Sequence, residues 1–167
     1  SQKYRDTDQS RENHTICLAR NLSTNADHHV RLTDIIAKNR FIPAGRIQTA
    51  LGAVEREVSP FNCSVSEKVG DNIPSIYKAL GNAAQILRLG TGIGYNFSHL
   101  RPHGALVKKL QTKASGPISY MKLFNESAAL IASAGHRRGA QMGILNVDHP
   151  DIIDFVDSKM EKGALHS

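Results

Sequence analysis

The sequence predicts an α/β fold with parallel strands and helices packed outside them. Two observations carry this. From Phe61 onward, short β-prone runs alternate with longer segments of helical period, in the order strand, helix, strand, helix, strand, helix. The helical segments also open on capping residues or on proline in the first turn, where its missing N–H costs little. The length of 167 residues and an apolar share of 40% are enough for one buried core.

The elements follow in chain order. Residues 1–39 form a polar N-terminal segment, with a loose end at Tyr4–Ser10 and a short element over His14–Leu22. Val30, Ile35, Ile36 and Ala37 predict a short helix over Val30–Asn39, broken by Phe41-Ile42-Pro43-Ala44-Gly45. Residues 40–167 carry the rest. Phe61–Val65, bounded by Pro60 and Gly70, reads as a strand. Asp71–Leu89 reads as a helix with Asp71 as cap, Pro74 in the first turn, and Ile76, Ala79, Leu80, Ala83, Ala84 and Leu87 as its apolar stripe. Gly90-Thr91-Gly92-Ile93-Gly94 reads as a tight turn, and Tyr95–Leu100 as the next strand. Arg101–Lys113 is a basic irregular stretch. Ser115 and Pro117 open a helix faced by Ile118, Met121, Phe124, Ala128 and Ile131. After the Gly-flanked loop Ala134–Gly139 comes a strand over Gln141–Val147. A last helix is capped by Asp148, and its acidic first turn suits the helix dipole.

Composition excludes several classes. A charged share of 22% beside that apolar share is not that of a disordered tail, and no run approaches a membrane span. Two cysteines, Cys17 and Cys63, do not make a disulfide scaffold. No CxxC pair accompanies the eight histidines, so no metal site is expected. The net charge of +6 suits polyanionic partners: nucleic acid, nucleotides or phosphorylated metabolites. The polar N-terminus lacks the apolar core of a secretory signal, which sets a reducing cytoplasm as the expected compartment.

Few residues invite chemistry. Cys63, on a strand between turn signals, reads locally either as a small packed hydrophobe or as a redox or nucleophilic thiol. Cys17, between Ile16 and Leu18, reads as packing. The Gly90–Gly94 run follows a helix and precedes a strand, the reverse of a dinucleotide-binding turn, and no GxxxxGK[ST] occurs. Arg101, His103, Lys108, Lys109 and Lys113 form either a solvated surface or a loop suited to a triphosphate. His136-Arg137-Arg138, between glycines, is either a charged connection or a base- and phosphate-reading loop. Aromatic residues at 5% are too sparse for a single-stranded nucleic-acid platform.

Taken together these strings say more. Phe61-Asn62-Cys63, Asp71-Asn72-Ile73-Pro74-Ser75-Ile76 and Gly92-Ile93-Gly94-Tyr95-Asn96-Phe97-Ser98-His99-Leu100-Arg101-Pro102 occur in order. Ala114-Ser115-Gly116-Pro117-Ile118-Ser119-Tyr120-Met121, Gly135-His136-Arg137-Arg138-Gly139-Ala140 and Val147-Asp148-His149-Pro150-Asp151-Ile152 follow. This series resembles the catalytic chain of ribonucleotide reductase, from about Arg40 to Phe155. It is most similar to the adenosylcobalamin-dependent class, with the iron- or manganese-dependent class as the alternative.

The resemblance implies a ten-stranded α/β barrel, of which this chain holds the first half with external regulatory and dimerisation helices. It implies reduction of a ribonucleotide to its 2′-deoxy form by thiyl-radical chemistry, with electrons from a cysteine pair. Cys63 matches one member of that pair. Gly45, Asn62, Gly92 and Arg137 match substrate contacts. Asp71, Asn72, Ile73, Arg101 and Lys108 match the allosteric specificity site, which takes a deoxynucleoside triphosphate effector. The loop Ser133–Ala140 matches the element between effector and substrate. The implied partners are the remainder of the reductase, a second copy of the chain in a homodimer, and a thioredoxin- or glutaredoxin-type reductant. The family's radical-bearing cysteine and most of the substrate phosphate site have no counterpart here, so this chain alone is expected to be inactive. The alternative functions are an incomplete reductase kept as a nucleotide- or partner-binding module, and a general basic nucleic-acid binder.

Overall fold

A computed structural model describes residues 4–52, 54–55, 57–131, 140–160 and 165. Described residues up to Asn62 form one compact unit and those from Cys63 onward form another.

The first unit is helical: α1 (Arg11–Leu22), α2 (Ala26–Ala37) and α3 (Gly45–Gly52). Ser10 Oγ accepts the Asn13 N–H and caps α1, and Asn25 Oδ1 does the same for His28 N–H at α2. Both helices begin earlier than the apolar pattern predicts, because their first turns are polar and are held by caps. Helix α3 is an element that the sequence-based expectation does not include, although Ile47 and Leu51, four positions apart, give it an apolar edge. Leu18, Ala19 and Ile36 make the small core, with Leu22, Leu32, Ile47 and Leu51 against it. His14 lies buried and donates from Nε2 to the Gln48 carbonyl at 3.1 Å. Burial pushes its pKa below the usual imidazole value.

The second unit is the α/β part. Its elements are β1 (Cys63–Val65), α4 (Ile73–Arg88), β2 (Gly92–Asn96), β3 (Leu106–Val107), β4 (Thr112–Lys113), α5 (Pro117–Leu130), β5 (Gln141–Ile144) and α6 (Ile152–Asp157). Strands β1, β2 and β5 form one parallel sheet in that order, with α4 crossing from β1 to β2 and α5 lying between β2 and β5 in the chain. The predicted alternation of parallel strands and helices is therefore present.

Several boundaries differ, each for a local reason. The cap of α4 is Asn72, whose Oδ1 accepts the Ser75 N–H at 2.9 Å; the Asp71 carboxylate is engaged elsewhere. Gly90, at φ +74, terminates this helix as its left-handed residue, as the sequence implies. Gly92-Ile93-Gly94 is strand rather than turn: hydrogen-bonded neighbours on both sides override the glycines' weak strand preference. The Arg101–Lys113 stretch contains the antiparallel pair β3–β4, so Lys108 and Lys109 sit at a hairpin turn. At α5 the cap position is Gly116, at φ +78, and no side chain caps it; the Ser115 carbonyl accepts from Ser119 Oγ. Asp148 is exposed and the position before α6 is Asp151.

Helices α4 and α5 cover one face of the sheet. Ile76, Ala79, Ala83 and Leu87 of α4 and Met121 and Phe124 of α5 close over Ile93, Tyr95 and Phe97. The Phe124 ring meets Tyr95 edge-on at 4.8 Å and Phe97 at 5.3 Å. Replacing Asn72 by alanine removes the α4 cap. We expect about 1 kcal/mol of lost stability in urea denaturation.

Candidate functional site

The face of the sheet turned away from the helices is open. Side chains alternate along a strand, so β2 sends Ile93 and Tyr95 into the core and leaves Gly92, Gly94 and Asn96 on the open side. The parallel register sets Cys63 beside Gly92 and Val65 beside Gly94 on one flank, and Met142 beside Gly94 and Ile144 beside Asn96 on the other. The two glycines therefore form a trough of bare backbone between two rows of side chains. It encloses about 590 Å³, a volume suited to a small ligand. Its flanks are apolar and exposed: Val65 is 88% accessible and Met142 63%. A parallel sheet is ordinarily covered on both faces, so a bare apolar face calls for a ligand or further chain.

Cys63 is a free, exposed thiol on this rim, so in this chain it is not the packed hydrophobe that its local sequence allows. Ser64 Oγ donates to the Gly92 carbonyl at 3.2 Å and ties β1 to β2 at the level of the sulfur. Glu67, also on the rim, accepts from Lys78 Nζ at 2.9 Å and from Asn82 Nδ2 at 2.6 Å, both on α4. The Lys78 hydrogen bond, reinforced by its charge, holds the Glu67 carboxyl below the usual range. Beneath the floor, burial raises the Tyr95 hydroxyl far above its ordinary pKa, so it stays protonated and donates to Gln141 Oε1 at 2.7 Å.

A second cluster lies at the N-terminal end of α4. The Asp71 carboxylate accepts from Arg101 Nε at 2.8 Å and from the Arg101 backbone N–H at 3.2 Å. Two residues thirty positions apart, both predicted for an anionic ligand, thus meet as a half-exposed ion pair. Asn72 is spent on the helix cap, and Ile73 begins the helix with an exposed side chain. Lys108 is exposed on the β3–β4 turn, its carbonyl accepting from Gln111 Nε2.

Asn62 is exposed and directly precedes β1. Gly45 begins α3 in the helical unit, where a Cβ would fall 2.7 Å from the Tyr4 ring. Cys17 is half-buried on α1. Arg137 and the loop Ser133–Ala140, Ala140 excepted, lie outside the described residues. The groove-lining Val65, Gly94, Met142 and Ile144 were not singled out from sequence. The period of two in β1, β2 and β5 carries that signal, once the register is known.

Among the described residues no three His, Cys, Asp or Glu side chains stand together to hold a metal ion. The groove, at about 590 Å³, has room for a small ligand. No described helix is long and apolar enough to cross a membrane.

Residues 61–166 match the family model described as ribonucleotide reductase, barrel domain. The vitamin B12-dependent ribonucleoside-diphosphate reductase of Mycobacterium tuberculosis (strain CDC 1551 / Oshkosh) is 47% identical over 93 residues, covering 56% of this chain and 13% of the relative. That of Thermoplasma acidophilum is 39% identical over 137 residues, covering 81% and 17%. The chain thus spans less than a fifth of the length of these relatives. Among solved structures, the Actinobacillus ureae class Id ribonucleotide reductase alpha subunit superposes with a TM-score of 0.79 at 20% identity, over 97% of this chain and 29% of that one. At that identity the likeness speaks for the fold alone.

Proposed function

The chain belongs to the ribonucleotide reductase large-subunit family, and from that membership we propose that its open sheet face is one wall of a ribonucleotide-reducing active site. The observation that carries this reading is the exposed Cys63 thiol in register with Gly92 at the rim of the groove. A substrate ribose lies on the bare backbone of Gly92 and Gly94, where no side chain keeps it from the sulfur. Asn62, next to Cys63 in the chain, contributes a further substrate contact, and Arg137 reads the base.

The overall reaction balances. Two thiols give up two hydrogens and close to a disulfide, the 2′-hydroxyl leaves as water, and hydrogen takes its place. Cys63 is one of the two thiols. The second thiol and the thiyl radical that starts the reaction come from parts of the protein other than this groove. A thioredoxin- or glutaredoxin-type protein restores the thiols. The names of the vitamin B12-dependent ribonucleoside-diphosphate reductases favour cobalamin as cofactor and a diphosphate as substrate, and in this reading the adenosyl form is the radical source. Its binding surface lies mainly in parts outside this chain.

Asp71, Asn72, Ile73, Arg101 and Lys108 serve as the specificity site for a deoxynucleoside triphosphate. The Asp71 carboxylate accepts from the sugar hydroxyl, while Arg101 and Lys108 face phosphate. The exposed Ile73 and Tyr77 on α4 suit a homodimer interface around that site. The protein works in a reducing cytoplasm, where thiol chemistry of this kind is sustained.

Alkylation tests the groove. In the complete protein, iodoacetamide labelling of the Cys63 peptide, followed by mass spectrometry, should slow about tenfold at ten times the dissociation constant of a ribonucleoside diphosphate, by occupancy alone. An unchanged labelling rate in the presence of bound diphosphate would place the substrate elsewhere.

A further inference from the structure

The Asp148-His149-Pro150-Asp151 turn has no part in the chemistry so far, yet it is built around two buried polar side chains. His149 and Asp151 are each 7% accessible. The Asp151 N–H donates to His149 Nδ1 at 3.1 Å, so Nδ1 is the bare nitrogen. Nε2 then carries the proton and donates to the Leu100 carbonyl at 2.9 Å. Two residues on, Asp151 Oδ2 accepts the His103 N–H at 2.8 Å. The intervening Arg101 N–H is taken by Asp71. The segment Leu100–His103 is therefore gripped at three main-chain groups: by the imidazole, by the Asp71 carboxylate and by the Asp151 carboxylate.

Gly116 supports this arrangement independently. At φ +78, it stands where a Cβ would fall 2.8 Å from Asp151 Oδ2 and 2.9 Å from the His103 nitrogen. The start of α5 thus leaves room for this one hydrogen bond. Buried groups held in this way fix a backbone path more firmly than surface contacts do.

We propose that His149 and Asp151 are positioning residues of the effector site, holding the Leu100–His103 segment so that the Arg101 guanidinium is set for a deoxynucleoside triphosphate. This rests on the effector-site reading above. Neither residue touches the ligand; each acts through the main chain that carries Arg101. Small displacements of such a group cost binding steeply, because its hydrogen bonds are directional.

The test uses the complete reductase and equilibrium dialysis with radiolabelled deoxyadenosine and thymidine triphosphates. Asp151→Ala and His149→Leu should raise the effector dissociation constant at least about tenfold, the scale of an unpaired buried polar group. The ribonucleotide substrate constant should move by less than about twofold, since the groove is built on other elements. Asp151→Asn and His149→Gln, which can keep an acceptor for His103 and a donor for Leu100, should recover most of the effector affinity and serve where the harsher variants fail to fold. Loss of effector affinity in Arg101→Ala, with full affinity in Asp151→Ala and His149→Leu, overturns the positioning role alone. Parallel weakening of substrate and effector in every variant overturns it as well, by showing a general structural effect. Full affinity in Arg101→Ala instead removes the effector site on which the inference stands.

Discussion

Exchanging Cys63 for serine in the complete reductase should abolish sustained deoxyribonucleotide formation, by on the order of a thousandfold or more, the scale on which loss of a covalently reacting group acts. A serine hydroxyl can fill the space and share a proton, but it cannot close a disulfide, so the two electrons needed at the 2′ carbon have no source. The variant should fold normally. Cys63 is exposed at the rim of the groove, where substitutions change stability by no more than about 0.5 kcal/mol. Substrate should still bind, because the groove floor is glycine backbone. The measurement is deoxyribonucleotide formed with a small dithiol as reductant, alongside substrate affinity and thermal melting. Turnover at the normal rate would remove the thiol from the mechanism. Loss of turnover together with loss of substrate affinity would make Cys63 a binding group instead.

The alternation of strand and helix after Phe61 was legible in the sequence because each element has a local cause. Pro74 and Pro117 mark helix starts, Gly90 marks a stop, and Ile76, Ala79, Ala83 and Leu87 recur at helical spacing. Which residue caps each helix was less legible. Asp71 and Asn72 are both good caps, and the choice between them was made by Arg101, thirty residues away, which takes the aspartate. The groove was only half legible. Cys63 and Gly92 can be named from strings, but that they are neighbours follows from a parallel register that no local pattern states. Gly92-Ile93-Gly94 suggests a turn for the same reason: glycine weakens a strand locally, and only the flanking strands restore it. The buried positions of His149 and Asp151 were hidden, since a cap at Asp148 with an acidic first turn does not say which side chains pack inward. Helix α3 was missed although Ile47, Ala50 and Leu51 fall at helical spacing: two turns following Pro43-Ala44-Gly45 are too short for the period to stand out.

Gly94→Leu should weaken ribonucleotide binding by about 10- to 100-fold, the range of overpacking a fitted site, while leaving the fold intact. Gly94 lies mid-strand, with no positive φ, and a Cβ built there meets only Met142 Cβ at 4.0 Å. A larger side chain is therefore free to stand up in the groove. It should even gain some strand stability, by up to about 1 kcal/mol, because glycine weakens a strand interior. Gly94→Ala should have an intermediate effect, so affinity should fall in step with side-chain size while the melting temperature holds or rises. Gly143 supplies the control. It pairs with Tyr95 on the helix-covered side of the sheet, where a Cβ would make ordinary contacts of 3.7 Å with Met121 and 3.8 Å with Phe97. Gly143→Ala should leave substrate affinity unchanged although it lies on the neighbouring strand. If the Gly94 series left substrate affinity untouched, the open face would be a surface awaiting further chain rather than a nucleotide wall. A graded loss confined to the groove side of the sheet is what a ribose lying on bare glycine backbone requires.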